Sequence, residues 1–84
     1  MYIKTIMINK KAKKKNFTIK SRLHVLRAEE RITQEELANE IGITRTTIIA
    51  IEKGDYNPTL ELAFKLSRFF NVGIEQIFFV TEGK

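Results

Sequence analysis

Residues 33–54 read TQEELANEIGITRTTIIAIEKG, and the rest of the fold can be worked out from the signals they contain. Thr33 and Glu36 have the spacing of a capping box, in which the threonine hydroxyl accepts from the third amide of a helix and the glutamate reaches back. Gly42 is placed to end that helix, because glycine adopts the left-handed backbone region at little cost. Thr44 is the next N-cap. The stretch therefore predicts two short helices joined by a tight turn.

The second of these helices has a competing interpretation. Residues 46–51, TTIIAI, are rich in β-branched side chains, which favour strands over helices. They lie, however, between the N-cap Thr44 and a helix C-terminal signal at Gly54. Ile48 and Ile51 are also three residues apart, which is a helical spacing. Because context overrides a weak propensity difference, the helix is favoured over the strand.

The apolar positions of the same stretch predict a shared core. Ala38, four residues before Gly42, is small enough to let the second helix cross the first closely, whereas a larger side chain would push the two helices apart. Five further apolar residues fall at positions that face the core: Leu37, Ile41, Ile43, Ile48 and Ile51.

The sequence on either side predicts further helices. Apolar residues at helical spacing indicate a helix over residues 18–31: Ile19, Leu23 and Leu26. Thr59 caps a later helix after a turn at Asn57-Pro58, and residues 74–78 predict a final short helical turn. The predicted fold class is therefore all-α, a compact bundle of about five helices around the central pair, with a short terminal β-strand as an option.

Composition excludes several classes of protein. Cysteine is absent and His24 is the only histidine, which excludes disulfides, thiolate zinc sites and multi-histidine metal sites. No nucleophile–base pair is apparent, so neither enzymatic activity nor a cofactor is expected. No apolar run approaches the ~18 residues of a membrane span, and the opening apolar stretch is shorter than a signal peptide requires. These features predict a cytoplasmic protein with no membrane partner.

Charge is divided unevenly along the 84 residues, whose net charge is +5. Residues 1–28 contain nine Lys or Arg and no acidic residue, whereas residues 29–84 contain six basic and ten acidic residues. A net positive charge suggests nucleic acid as the partner. The asymmetry divides the chain into a basic N-terminal arm, residues 1–16, and a domain, residues 17–84.

Two parts of the arm have open interpretations. Tyr2–Ile8 alternates apolar and polar residues, as a strand does, but one isolated strand is not stable. The Lys-rich run that follows is either a solvated tail or a segment that contacts DNA, and DNA contact is favoured. Met7 offers an alternative start of translation.

The segments described above resemble the XRE, or lambda-repressor-like, family of helix-turn-helix DNA-binding domains. The resemblance extends over residues 19–78, and its matching segments are Leu26-Arg27, residues 33–38, 41–44, Ile48, residues 51–54, 57–60 and Leu66. It implies a non-enzymatic transcriptional regulator that binds double-stranded DNA. The first 18 residues have no counterpart in the family.

The resemblance also implies roles for particular residues. In the family, the positions of Arg45, Thr46 and Ala50 contact bases, and a bidentate arginine contact to guanine O6 and N7 is worth ~1–3 kcal/mol of discrimination. Ile49 lies one turn on and is added as a contact to a thymine methyl group. The phosphate contacts expected are Gln34, which the family uses in this way, with Thr44, Thr47, Lys53 and Asn57. Arg27 and Glu52 match a family pair that forms a partly buried structural ion pair.

The function predicted from these observations is sequence-specific repression, by a homodimer that binds a two-fold operator through the major groove. Phe78-Phe79-Val80 is too apolar to leave in water, and it is expected to pair across the two-fold axis or with Tyr2–Ile8. The alternative hypothesis is an antitoxin-like interaction module, in which the apolar tail binds a toxin and DNA binding regulates the module's own operon.

Overall fold

The computed structural model describes residues 16–82. The predictions for Tyr2–Ile8 and for the Lys-rich run lie outside the described residues. Two strands and four α-helices follow in chain order, with one 3₁₀ turn near the end. They are β1 (Phe17–Ser21), α1 (Leu23–Glu30), α2 (Gln34–Ile41), α3 (Arg45–Lys53), α4 (Leu60–Phe70), the 3₁₀ turn (Ile74–Gln76) and β2 (Phe78–Glu82).

The capping box predicted at the start of α2 is confirmed. The Glu36 amide donates to Thr33 Oγ1 at 3.0 Å, and Glu36 Oε1 accepts from the Thr33 amide at 2.9 Å. Thr44 caps α3 in the same way by accepting from the Thr47 amide at 3.2 Å. Residues 46–51 are helical, so the strand interpretation of this segment is wrong. The N-cap and C-cap outweigh the β-propensity of the isoleucines and threonines.

The turn between α2 and α3 depends on the backbone conformation of Gly42. Its φ is 87°, and its amide donates to the Ala38 carbonyl at 2.8 Å. A Cβ built at Gly42 would meet no atom within 4 Å. The fold therefore needs glycine for its left-handed backbone and not for space.

A single apolar core lies between the helices and beneath the sheet. Ala38 is buried, and α2 and α3 pack directly against each other, as the sequence predicts. Every helix contributes to the core, which is why none of them is expected to be stable alone. Its members are Leu23, Leu37, Ala38, Ile41, Ile48, Ile51, Leu62, Leu66, Phe70 and Ile77.

The all-α prediction is wrong, because β1 and β2 form a two-stranded antiparallel sheet. Its register places Phe17 opposite Glu82 and Ser21 opposite Phe78. The helix predicted over residues 18–31 begins only at Leu23. The apolar spacing of residues 19, 23 and 26 fits a helix, but backbone hydrogen bonds to a strand about sixty residues away determine the conformation of residues 17–21.

Ser21 joins this sheet to the helices. It is buried, and its hydroxyl donates to the Ile51 carbonyl at 3.4 Å and accepts from the Leu23 amide at 3.3 Å. The next amide, that of Arg22, donates to the Ile77 carbonyl at 2.8 Å. The strand therefore ends where its polar groups find partners in α3, in α1 and in the chain just before β2.

The prediction of about five helices is also corrected. The helical turn expected over residues 74–78 is a 3₁₀ turn of three residues, Ile74–Gln76, and Phe78 already belongs to β2. The described partner of Phe78-Phe79-Val80 is β1 of the same chain, which the sequence did not predict. Across residues 16–82, no helix is long and apolar enough to span a bilayer.

Candidate nucleic-acid interface

Helix α3 has one buried face and one outward face. Ile48 and Ile51 belong to the core. At about 100° per residue, the residues predicted to read bases fall in a sector of about 140° on the opposite side of the helix. Arg45 and Thr46 are exposed and Ile49 and Ala50 are half-buried in this sector, which also contains the exposed Lys53.

The first turn of α3 is held by its own threonines. Thr44 Oγ1 accepts from the Thr47 amide and lies 3.0 Å from Thr47 Oγ1. The amides of Arg45 and Thr46 have no intrahelical acceptor at this end of the helix. Unpaired amides and the positive end of the helix dipole favour an anion here.

A cleft of about 600 Å³ lies where the end of α1 meets the starts of α2 and α3. It is open to solvent, and three arginines contribute to its wall. The main polar residues that line it are Arg27, Arg31, Thr33, Gln34, Glu35 and Arg45.

Arg27 and Glu52 form an ion pair behind this cleft. Arg27 Nε lies 2.6 Å from Glu52 Oε2, and a second guanidinium nitrogen donates to Oε1 at 3.1 Å. Arg27 also donates to the Ile32 carbonyl at 3.0 Å. The pair therefore joins α1, the α1–α2 turn and α3.

The pair shifts the pKa of both side chains. Burial raises the pKa of Glu52, but hydrogen bonds from Arg27 and Gln34, together with the charges of Arg27 and His24, reverse this effect and leave it below its usual value. The hydrogen bond to Glu52 raises the pKa of Arg27, although burial opposes the change. Both groups are therefore held in their charged forms.

Gln34 connects the ion pair to the surface. Its Nε2 donates to Glu52 Oε1 at 3.1 Å, which fixes the side chain at the start of α2. An amide nitrogen has two hydrogens, so the second remains available to a phosphate oxygen. The phosphate contact itself stays a prediction.

The other predicted phosphate contacts lie at different points around α3. Thr47 lines a small hollow with Tyr56 and Thr59, so the loop that carries the exposed Asn57 lies beside the first turn of α3. Lys53 is at the far end of the helix. The structure therefore places Thr44, Thr47 and the Asn57 loop near one another, and Lys53 about two turns away.

One cleft residue was not singled out from the sequence. Arg31 follows α1 and adopts the left-handed conformation, with φ 57° and ψ 44°. The one feature of the sequence that could have pointed to it is its position, directly between the end of one helix and the N-cap region of the next. From the sequence alone, an arginine at this position is interpreted as an ordinary surface residue, because the cleft is not evident.

Two helices are joined by a tight turn, and the second presents Arg45, Thr46 and Lys53 on its outward face. This arrangement defines a helix-turn-helix domain. A family model described as helix-turn-helix matches residues 23–77. The chain belongs to this family, the XRE-type helix-turn-helix DNA-binding transcriptional regulators, which are not enzymes.

Several relatives are transcriptional regulators by name. An uncharacterised HTH-type transcriptional regulator of Methanocaldococcus jannaschii is 55% identical over 60 residues, which cover 71% of this chain and 91% of the relative. The transcriptional repressor RstR of the cryptic phage CTXphi in Vibrio cholerae is 42% identical over 57 residues, 68% of this chain and 51% of RstR. The transcriptional activator BcrR of Enterococcus faecalis is 36% identical over 67% of this chain and 28% of its own length.

The fold is shared with a solved structure. A crystal structure of a Bacteroides fragilis protein, with a proposed role in DNA binding, superposes with a TM-score of 0.65 at 26% sequence identity. The match covers 73% of this chain and 98% of the other.

Proposed function

We propose that this DNA-binding regulator is sequence-specific and reads its operator in the major groove with the N-terminal half of α3. The observation that carries the proposal is the outward face of α3, opposite Ile48 and Ile51. Arg45 contacts a guanine, and Thr46 hydrogen-bonds a base or contacts a thymine methyl group. Ile49 and Ala50 pack on thymine methyl groups one turn further along.

Backbone contacts position that helix without reading sequence. Gln34 supplies one from the start of α2, where Glu52 orients its side chain. The remaining contacts come from the rim of the same surface: Thr44, Thr47, Lys53 and Asn57.

The basic arm, residues 1–16, adds attraction that does not depend on sequence. It contains six lysines and no acidic residue, whereas residues 29–84 have an excess of acidic over basic residues. Each phosphate that the arm neutralises adds about 0.9 to the magnitude of the slope of log affinity against log salt. Removal of residues 1–16 should therefore weaken binding to all sequences alike and flatten that slope.

The protein acts as a homodimer, because two half-sites ~34 Å apart give an affinity that one short helix cannot. The surface proposed for the contact is one face of the sheet, where side chains alternate and residues 17, 19 and 80 point to the same side. Phe17 is 55% exposed and Val80 is 52% exposed. A second copy of the chain would remove this apolar surface from water.

A charge placed on that face tests the dimer. Val80→Lys should reduce the mass in light scattering from dimer to monomer. Thr81→Lys adds the same charge to the opposite face of the same strand, so it should remain dimeric. A wild-type monomer at micromolar concentration would contradict the proposal.

The proposed place of action is the cytoplasm. The proposed direction of regulation is repression. Support comes from RstR, named a repressor, which is 42% identical, compared with 36% for the activator BcrR. A bound dimer would repress by steric exclusion of polymerase.

Selection of duplexes from a random pool tests sequence specificity. Wild-type protein should enrich a two-fold motif, and Arg45→Ala should retain binding but lose preference at one base pair in each half-site. Failure to enrich any motif would contradict the proposal. Co-purification of an unrelated protein on the apolar sheet would instead favour the antitoxin-like module.

A further inference from the structure

We propose that Arg31 contacts the DNA backbone by binding a phosphate in the cleft at the start of α2, which it lines together with Arg45. The inference rests on the proposed function and adds a binding residue to the same site. It has two independent supports. One is the backbone conformation of Arg31, and the other is the presence of two arginines beside the cleft that form no ion pair in the described part of the chain.

The conformation of Arg31 is one that its side chain does not favour. At φ 57° it ends α1, and its amide donates to the Ala28 carbonyl at 3.1 Å. Residues with a Cβ rarely adopt this region, and glycine or asparagine is the usual choice after a helix. In the described part of the chain, Asn71 is the only other non-glycine residue with positive φ. The backbone alone therefore gives no reason for an arginine at position 31.

The charges around the cleft give a reason for an arginine at position 31. Arg27 is neutralised by Glu52, so it offers no free charge to a ligand. Between residues 16 and 82, neither Arg31 nor Arg45 forms an ion pair, although both line the cleft. Glu35 is the one acidic residue on its wall. Two unpaired guanidinium groups therefore face one open cleft.

The chemistry of the cleft suits a phosphate diester. Guanidinium groups bind phosphate oxygens with two parallel hydrogen bonds, and the first amides of α2, those of Gln34 and Glu35, have no intrahelical acceptor. Arg45 belongs both to this cleft and to the base-reading face of α3. The phosphate bound here is therefore the one beside the base pairs that α3 reads, and Arg31 fixes the position of the helix in the groove.

Arg31→Gly separates the two roles of the residue. Glycine is favoured at this φ, so the thermal midpoint should rise by a few degrees. Affinity should nevertheless fall for a selected duplex and a mixed-sequence duplex alike, and the salt slope should lose about 0.9 in magnitude. If Arg31 made no DNA contact, Arg31→Gly would raise the thermal midpoint but would leave the affinity and the salt slope unchanged.

Arg68→Gln is the matched control, because it removes the same charge from a hollow at the other end of α2, beside Glu40 and Ile41. It should leave the salt slope unchanged. Arg31→Lys should retain the slope but lose affinity, because an ammonium group cannot bind bidentately. The two variants together separate a specific contact from a general loss of charge.

Two outcomes would overturn the inference. If wild-type protein binds duplex DNA but Arg31→Gly changes the slope no more than Arg68→Gln does, Arg31 makes no contact and the proposed function stands. If wild-type protein binds no duplex of any sequence, the proposed function and this inference both fail. Fluorescence anisotropy at several salt concentrations measures each outcome.

Discussion

Glu52→Gln tests how far the ion pair between α1 and α3 supports the domain. The substitution keeps the shape of the side chain and removes its charge. Glu52 is 10% exposed and Arg27 is 19% exposed, so water reaches the pair poorly. The Glu52 carboxylate accepts three hydrogen bonds, two from Arg27 and one from Gln34.

The expected loss of stability follows from these contacts. A glutamine amide retains one acceptor oxygen, but it turns an NH₂ group toward a guanidinium that can only donate. At least one charge-assisted hydrogen bond is lost, worth ~1.5–3 kcal/mol. Removal of one partner of a fully buried pair costs ~3–5 kcal/mol, and the partial exposure of this pair reduces that figure. We expect a loss of about 2–3 kcal/mol, or a thermal midpoint lower by roughly 10–20 °C.

The pH dependence of unfolding is a second test of the stability that the Arg27–Glu52 ion pair contributes. Because the pKa of Glu52 is lowered in the folded protein, the unfolded chain binds more protons as the pH falls. The stabilisation is complete above the unfolded pKa, about 4.3, and is lost as the pH drops through the folded value. Wild-type protein should lose this part of its stability in acid, and Glu52→Gln should not.

Urea unfolding of the wild-type protein and of two variants checks the magnitude. Arg27→Met with Glu52→Leu leaves no unpaired charge, so the double variant should be less destabilised than Glu52→Gln alone. A loss below about 0.5 kcal/mol for Glu52→Gln would mean that the pair behaves as a solvated surface ion pair. That result would refute the structural role assigned to it.

Three further predictions concern stability, each measured by urea or thermal unfolding. Gly42→Ala should cost ~1–2 kcal/mol because φ is 87°, and Gly42→Asn should cost less; equal costs would mean that the turn needs more than a left-handed residue. Leu66→Ala should cost ~2–5 kcal/mol, since Leu66 is fully buried, and a loss below 1 kcal/mol would contradict close packing there. Thr59→Ala should cost ~1 kcal/mol by removing the hydrogen bond from the Leu62 amide, whereas Thr59→Ser should cost little.

The central helix pair could be predicted from sequence because its signals are local. The capping box at Thr33, the left-handed Gly42 and the N-cap Thr44 each act on a residue no more than four positions away. Such signals determine where α2 and α3 begin and end, whichever way the rest of the chain folds.

The sheet could not be predicted in the same way. Residues 17–21 and 78–82 are far apart in sequence, and each is stable as a strand only when the other is present. Ile19 also continues the apolar spacing of α1, so a helix accounts equally well for that segment. The choice is made by long-range backbone pairing, which no local pattern reveals.

The candidate site also has one part that the sequence predicts and one part that it does not. A helical wheel is enough to place Arg45, Thr46, Ile49 and Ala50 on one face of α3, because the core positions are evident. The hydrogen bond from Gln34 to Glu52 and the cleft beside Arg31 depend on the packing of three helices. They became visible only in the structure.

Atomic substitution in the operator tests most directly whether Arg45 reads a guanine. In the selected duplex, guanine at the position that depends on Arg45 is replaced by 7-deazaguanine, which lacks the N7 acceptor. Loss of about 1 kcal/mol from the bidentate contact should weaken wild-type binding roughly fivefold and leave Arg45→Ala unaffected. An equal loss for both proteins would show that Arg45 does not contact this base, and would contradict the account.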